Sequence, residues 1–190
     1  MDLREALTEQ YRAGIAMLRE CVERCPDDLW TTGTHPRTFW RIAFHAAFFT
    51  HNYLVQDEAA FNRSFAVGCA PLAVVRSLGV ETWTKCGEVE PYELPEGAPT
   101  LSREDLLVYI DYVEDLIGPT VEALDLETND SGFSWYEDIS KLSHELMNLR
   151  HIQGHVGQLS ELLMARGIDT DWIAKVAVSV VRDSPMDTCS

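Results

Sequence analysis

The chain has 190 residues, of which 46% are hydrophobic and 24% are charged, a composition typical of one globular domain with its own core. Acidic residues outnumber basic residues by 31 to 15, which gives a formal net charge of -16. The electrostatic field of this negative charge repels nucleic-acid phosphates and anionic membrane surfaces, and the arginines form no cluster that would offset it. We therefore expect neither a nucleic-acid partner nor a membrane partner.

The N-terminal residues are charged, without the apolar stretch of a signal peptide, and no apolar run approaches the ~18 residues of a membrane span. The chain has an odd number of cysteines, five, at irregular spacing, which argues against a secreted disulfide framework. The sequence thus predicts a cytoplasmic protein with reduced thiols. Cys21 and Cys25 lie one helical turn apart and could bind metal, but we interpret them as small core residues.

The first predicted helix covers about residues 3–25, where apolar residues recur every three or four positions. A second helix is predicted over about residues 36–57, with Thr34 or His35 near its N-cap. Its segment 39–49 is apolar almost all round, so this helix should be central in the fold.

A long connection is predicted over residues 58–100, because glycines, prolines and glutamates interrupt any regular pattern there. A short helix is expected near residues 72–78. Connections of this length in a compact domain are either solvated crossover segments or covers over a functional site. The sequence leaves these two interpretations open.

The third predicted helix covers about residues 102–125 and begins with a capping-box pattern, Ser102 followed by Asp105. The fourth is predicted over about residues 139–166, where Gly167 provides a C-terminal stop. Both segments carry apolar residues at helical spacing.

Four long helices and long links predict an all-α fold, a four-helix bundle with long crossover connections, over residues 1–167. The remaining residues, 168–190, include an apolar, β-branched stretch. We expect this tail to pack on the bundle or on a partner chain.

His151 and His155 lie four residues apart on the fourth helix, so their side chains project together, about 6 Å apart. The same stripe continues with His144, Asn148 and Gln158, which makes it a polar ladder. The opposite side, expected to face the core, carries these residues: Leu142, Leu146, Leu149, Val156 and Leu163.

His45 lies in the most apolar helix, where a buried imidazole needs either a hydrogen bond or a metal ion. Convergence of His45 with His151 and His155 would make a metal site, whereas each taken singly is an ordinary hydrogen-bonded histidine. Three imidazoles leave open coordination positions, as in catalytic sites. Glu145 and Glu161 point away from the histidine stripe, which favours zinc or nickel over iron.

The other histidines have weaker claims to a functional role. His35 lies near a helix start and His51 lies on another stripe, so both are interpreted as ordinary residues. His144 could line the entrance to the site and is our candidate for a catalytic general base. No other convincing base is evident.

These features resemble the DinB/YfiT-like family of four-helix bundles. The second helix carries Trp-x4-His, from Trp40 to His45, and the fourth carries His-x3-His-x-Gly-Gln-Leu, from His151 to Leu159. The resemblance covers about residues 1–166. It implies a metal site on the same three histidines, occupied by zinc, nickel or iron, and a homodimer. Some members resemble transferases and isomerases that use low-molecular-weight thiols such as bacillithiol or mycothiol.

Our leading hypothesis is a metal-dependent thiol S-transferase that joins a small thiol to a small electrophile. A hydrolase that uses a metal-activated water is the nearest variant. The alternative from another class is a non-catalytic, metal-binding or stress-inducible dimeric bundle. Because imidazoles must be neutral to bind a metal, we expect metal loss below about pH 6.

Overall fold

The computed structural model of the chain describes residues 2–66, 70–78 and 94–176. These residues form helices and no strand, which confirms the predicted all-α class. In this described part, no helix combines the length and apolarity needed to cross a membrane. In chain order the helices are α1 (Leu3–Arg24), α2 (Asp27–Trp30), α3 (Phe39–Leu54), α4 (Glu58–Ala66), α5 (Ala70–Ser77), α6 (Arg103–Ala123) and α7 (Lys141–Met164).

Side-chain caps explain where three of the long helices begin. The predicted capping box is confirmed at α6, where the Asp105 amide donates to Ser102 Oγ at 3.1 Å. Asp2 caps α1 and Ser140 caps α7 in the same way. Past the end of α7, Gly167 has a φ of 73°, the left-handed conformation that favours glycine. Local signals therefore determine these boundaries to within a few residues.

The second long helix is shorter than the predicted range of 36–57, because α3 begins at Phe39 and ends at Leu54. The preceding residues form a turn instead, closed by a hydrogen bond from the Arg37 amide to the Thr34 carbonyl at 2.7 Å. All 16 residues of α3 are buried, which agrees with the expected central position.

The long connection contains more helix than expected. Helices α4 and α5 lie within its described part, and α5 packs against α6. The short helix expected near residues 72–78 corresponds to α5. Residues 67–69 and 79–93 lie outside the described residues, so the interpretation of the connection as a cover stays a prediction.

Helices α1 and α3 both pack against α6 and α7, and they also contact each other. Helices α1 and α7 run parallel, because Tyr11 contacts Glu145 near their starts and Cys21 contacts Ser160 near their ends. This arrangement encloses a single apolar core between the four helices.

Helices α3 and α7 run antiparallel, and buried polar side chains join them. Lys141 Nζ donates to the Val55 carbonyl at 2.5 Å, and Asn148 Nδ2 donates to the Thr50 carbonyl at 3.1 Å. Residues later in α7 therefore contact residues earlier in α3, toward His45. This register decides which residues of the two helices meet.

Helix α6 runs antiparallel to α1. Arg4 at the start of α1 donates to the Leu124 carbonyl just beyond α6, whereas Arg19 pairs with Asp111 within α6. It follows that α3 and α6 point the same way. Helices that run in the same direction need a connection that returns along the full length of the fold, which accounts for the long segment between them.

The described part of the tail, residues 168–176, lies along α1 with Ile168 and Ile173 packed against the core. It runs from the end of α1 back toward its start. Residues 177–190 lie outside the described residues, so the prediction for that part of the tail is untested. The contacts that join the tail to α1 include the Asp171 amide with Glu20, the Ala174 carbonyl with Gln10, and Lys175 with Glu9.

Candidate metal centre

Three histidine side chains converge where α3 and α7 face each other. His45 Nε2 lies 3.2 Å from His151 Nε2, which lies 3.1 Å from His155 Nε2. Each of these residues offers a ring nitrogen within 4.8 Å of the other two. The structure thus brings together the three residues that the sequence singled out, as a group that could hold a metal ion.

The donor set fits a divalent ion. Imidazole nitrogens at 2.0–2.1 Å from a tetrahedral zinc ion are about 3.3 Å apart, close to the two Nε2 separations. Burial lowers the pKa of His151 to about 3, with further lowering by His155 and His45. His151 is therefore neutral at pH 7 and presents a nitrogen lone pair without first losing a proton.

Aromatic rings flank the group on its inner side. The Phe49 ring centroid lies 4.6 Å from that of His45 and 6.0 Å from that of His151. The Tyr53 ring lies 6.1 Å from that of His151. Both aromatic residues are buried, so they restrict the imidazole orientations and keep water from this side of the group.

His155 has a polar partner on the next turn of α7. Its Nδ1 lies 2.9 Å from Gln158 Oε1, whereas its Nε2 faces His151. A histidine that binds a metal through one ring nitrogen usually bonds an acceptor through the other. The polar stripe predicted from the sequence therefore includes a residue that contacts a ligand candidate directly.

The side of α7 that faces the core differs in part from the prediction: Val156 and Leu163 are buried as expected, but polar residues also face the core. His144 and Asn148 of the polar ladder are fully buried, together with Lys141 and Glu145, whereas Leu146 is 53% exposed. The N-terminal half of α7 is thus buried through its polar residues. Glu145 bonds to α1, Asn148 bonds to α3, Lys141 bonds to the carbonyl just beyond α3, and His144 packs against aromatic rings. The apolar residues of α7 in the core are Ile152, Val156, Leu159 and Leu163.

A buried ion pair forms the centre of this polar layer. Lys141 Nζ lies 3.0 Å from Glu145 Oε1, and Tyr11 donates its hydroxyl proton to Glu145 Oε2 at 2.6 Å. Burial lowers the pKa of Lys141, although Glu145 opposes this, and burial followed by the charge of Glu145 raises the pKa of Tyr11. Glu145 is thus engaged by other residues and does not join the histidine group.

His144 lies within an aromatic cluster and does not line an entrance, because it is completely buried. Its ring stacks on Phe133 at 4.7 Å, with Tyr53 at 5.2 Å and Tyr136 at 5.4 Å. Its ring nitrogens have no hydrogen-bond partner among the described residues. Burial lowers the pKa of His144. We therefore do not retain it as a solvent-accessible base.

The remaining two histidines stay apart from the group, as expected. His35 Nε2 lies 3.1 Å from the Leu94 carbonyl oxygen, and His51 Nδ1 lies 3.0 Å from Tyr109 Oη. Burial lowers the pKa of His51 to about 3. Each is thus a hydrogen-bonded histidine in a structural position.

Cys21 and Cys25 are free and buried, as core residues should be. Cys21 Sγ lies 3.6 Å from Ser160 Oγ. Burial raises the pKa of both thiols, to about 11 for Cys25. Neither belongs to a metal-binding group among the described residues. The other cysteines lie outside those residues: Cys69, Cys86 and Cys189.

Comparison of the chain with protein families, with curated proteins and with solved structures found no significant match. The resemblance of its motifs to the DinB/YfiT-like family therefore stays a prediction. Independently of that resemblance, the described residues contain a three-histidine group that could bind a metal ion.

Proposed function

We propose that the protein is a metal-binding, DinB-like four-helix bundle whose site holds a divalent ion on His45, His151 and His155. The observation that carries this proposal is the convergence of three imidazole nitrogens from two antiparallel helices. Four long helices that pack against one another around an apolar core are consistent with a bundle. The spacing of the nitrogens suits a small divalent ion.

Zinc or nickel is the favoured ion, with iron as the less favoured choice. The three-histidine group includes no carboxylate, and non-haem iron sites commonly combine two histidines with one carboxylate. The buried carboxylate of α7, Glu145, is engaged by Lys141 and Tyr11. The donor set therefore suits an ion that accepts imidazole ligands alone.

The reaction that we propose is S-transfer from a low-molecular-weight thiol to a small electrophile. A divalent ion at an open three-imidazole site would supply Lewis acidity, which stabilises a thiolate at neutral pH. The thiol proton passes to solvent, the sulfur forms a bond to the electrophilic carbon, and the leaving group departs with its electron pair. Phe49 and Tyr53 exclude water from the inner side of the site.

The metal site is tested by metal analysis of untagged protein, since a histidine tag would itself bind the ion. We expect about one zinc or nickel ion per chain, and loss of that ion in His45→Ala/His151→Ala. The variant His35→Ala is the matched control, because His35 lies outside the group. An absence of stoichiometric metal, or retention of metal in the double variant, contradicts the proposal.

The reaction needs a separate test. The metal-loaded protein is mixed with a bacillithiol-type or mycothiol-type thiol and a chlorinated aromatic electrophile, and formation of the thioether is measured. We expect turnover that the double variant loses. Ester hydrolysis without thiol would support the hydrolase variant. A bound metal with no turnover of thiols or esters would support the non-catalytic alternative.

We also propose that the chain forms a homodimer, as the family resemblance implies. Sedimentation velocity of the purified protein distinguishes a dimer from the 21.5 kDa monomer. A monomer at micromolar concentration contradicts this part of the proposal and leaves the metal site unaffected.

A further inference from the structure

The side-chain amide of Gln158 contacts the one ring nitrogen of His155 that faces away from the group. His155 Nδ1 lies 2.9 Å from Gln158 Oε1, and Nε2 of the same ring lies 3.1 Å from His151 Nε2. Gln158 is one turn further along α7 and is exposed. Its contact with His155 is therefore not a by-product of core packing.

This contact selects one protonation form of the imidazole. A neutral imidazole carries one proton, and an amide oxygen can only accept a hydrogen bond. The His155–Gln158 bond therefore places the proton on Nδ1 and leaves a lone pair on Nε2. That lone pair points toward His151, into the three-histidine group.

We propose that Gln158 is a positioning residue for the metal centre, which holds His155 in the tautomer that binds through Nε2. This inference rests on the proposed metal site. Without the bond, the ring can carry its proton on Nε2, where it blocks coordination, and can rotate away from the group. In the metal-free protein, the bond to Gln158 disfavours both the Nε2–H tautomer and rotation of the ring.

His151 and His155 differ in what lies at Nδ1. His151 Nδ1 has no hydrogen-bond partner among the described residues, but its ring is held among His45, Phe49 and Tyr53. His155 is partly exposed, as His151 is, and its ring lies 4.7 Å from that of His45 and 4.5 Å from that of His151. Gln158 adds to these ring contacts an acceptor for the proton on Nδ1.

The first test measures zinc affinity by competition with a chromophoric chelator. We expect Gln158→Ala to weaken zinc binding about 10-fold or more, because loss of such an outer partner typically costs 10-fold to 100-fold. Gln158→Glu keeps an acceptor and should bind zinc at least as tightly as the wild type. Because Gln158 is exposed, neither variant should unfold the chain.

Gln153 provides the matched controls, since it lies on α7 and lines a groove with Trp172 instead of contacting the histidines. We expect Gln153→Ala and Gln153→Glu to leave zinc affinity within about 2-fold of the wild type. If Gln153→Glu tightened binding as much as Gln158→Glu, general charge would explain the effect. That result would overturn the positioning role, as would unchanged affinity in Gln158→Ala.

The second test needs no metal and so separates this inference from the proposed function. Nitrogen-15 NMR of the metal-free protein reports which ring nitrogen of His155 carries the proton. We expect the Nδ1–H form in the wild type and in Gln158→Glu, and a mixture of tautomers in Gln158→Ala. Identical tautomer populations in all three overturn the control of the tautomer by Gln158, whatever the metal does. Failure of the wild type to bind zinc overturns the metal site, and with it the role of Gln158 at that site.

Discussion

Asn148 donates a hydrogen bond from Nδ2 to the backbone carbonyl of Thr50, at 3.1 Å, within the buried interface of α7 and α3. Asn148 lies between two other contacts of these helices. Lys141 bonds the Val55 carbonyl near the start of α7, and the histidine group lies further along α7. Slipping one helix by a turn would move its side chains by about 5.4 Å. The Asn148 bond therefore holds the register in which the histidines meet.

Replacing Asn148 with alanine should lower both stability and zinc affinity. Removal of a buried hydrogen bond typically costs about 1–3 kcal/mol, measured here by urea denaturation. Zinc affinity should fall as well, because the register becomes less well determined. The control is Val156→Ala, which truncates a buried apolar residue of the same helix. An equal loss of zinc affinity in both variants would show that general destabilisation is responsible.

The buried pair Lys141–Glu145 should show strong coupling. Both side chains are fully buried and 3.0 Å apart, so removing one partner leaves an uncompensated charge in the core. Glu145→Gln is expected to cost about 3–5 kcal/mol of unfolding free energy. The double variant Lys141→Met/Glu145→Gln should lose less than the sum of the two single losses. Urea denaturation of all four proteins gives the coupling energy, and additive losses would contradict the pair.

His51 should make the protein less stable as the pH falls. Burial lowers its pKa from 6.5 to about 3, so the unfolded chain binds a proton between these values that the folded chain does not. Stability from neutral His51 is fully present above pH 6.5 and falls by about 2 kcal/mol by pH 5.

The measurement is the difference in unfolding free energy between pH 7 and pH 5. We expect His51→Gln, which can still bond Tyr109, to show a pH-dependent loss smaller than the wild type by about 2 kcal/mol. Burial also lowers the pKa values of His144 and His151, so part of the loss should remain. An unchanged pH dependence in the variant would contradict the assignment to His51.

Two glycines should respond oppositely to alanine. Gly132 has a φ of 82°, and a Cβ there would collide with the Gln56 carbonyl oxygen. Gly132→Ala should therefore cost about 1–3 kcal/mol or more. Gly154 lies in α7, where an added Cβ would meet no atom within 4 Å, so Gly154→Ala should stabilise by about 0.5–1 kcal/mol. Thermal unfolding shows whether Gly132→Ala lowers the stability and Gly154→Ala raises it. A stabilised Gly132→Ala would contradict the turn geometry.

Local patterns in the sequence predicted the four long helices and most of their ends, but they did not predict α2 or α4. The cap at Ser102 and the stop at Gly167 depend on bonds within a few residues, so sequence alone contains the information. Pairing His151 with His155 follows from the pitch of one helix in the same way. The start of α3 was placed too early, because a turn before Phe39 competes with the helix.

The burial of the N-terminal half of α7 could not be predicted from its own residues. Leu146 was expected in the core and is exposed, whereas Glu145 and His144 are fully buried. A buried Glu145 is favourable only because Lys141 and Tyr11 provide its partners. The pairing of Lys141 with Glu145 could be predicted from the sequence, because the two lie one turn apart on α7. The contact with Tyr11 could not, because Tyr11 lies on a different helix.

The sequence by itself determined an all-α chain, the positions of its long helices, and two histidines on one face of the last of them. Only the tertiary structure decided that His45 meets this pair, because that contact depends on the register of α3 against α7. Helix periodicity is a property of neighbouring residues along the chain. Register depends on side chains such as Asn148 that bond across more than ninety residues of sequence.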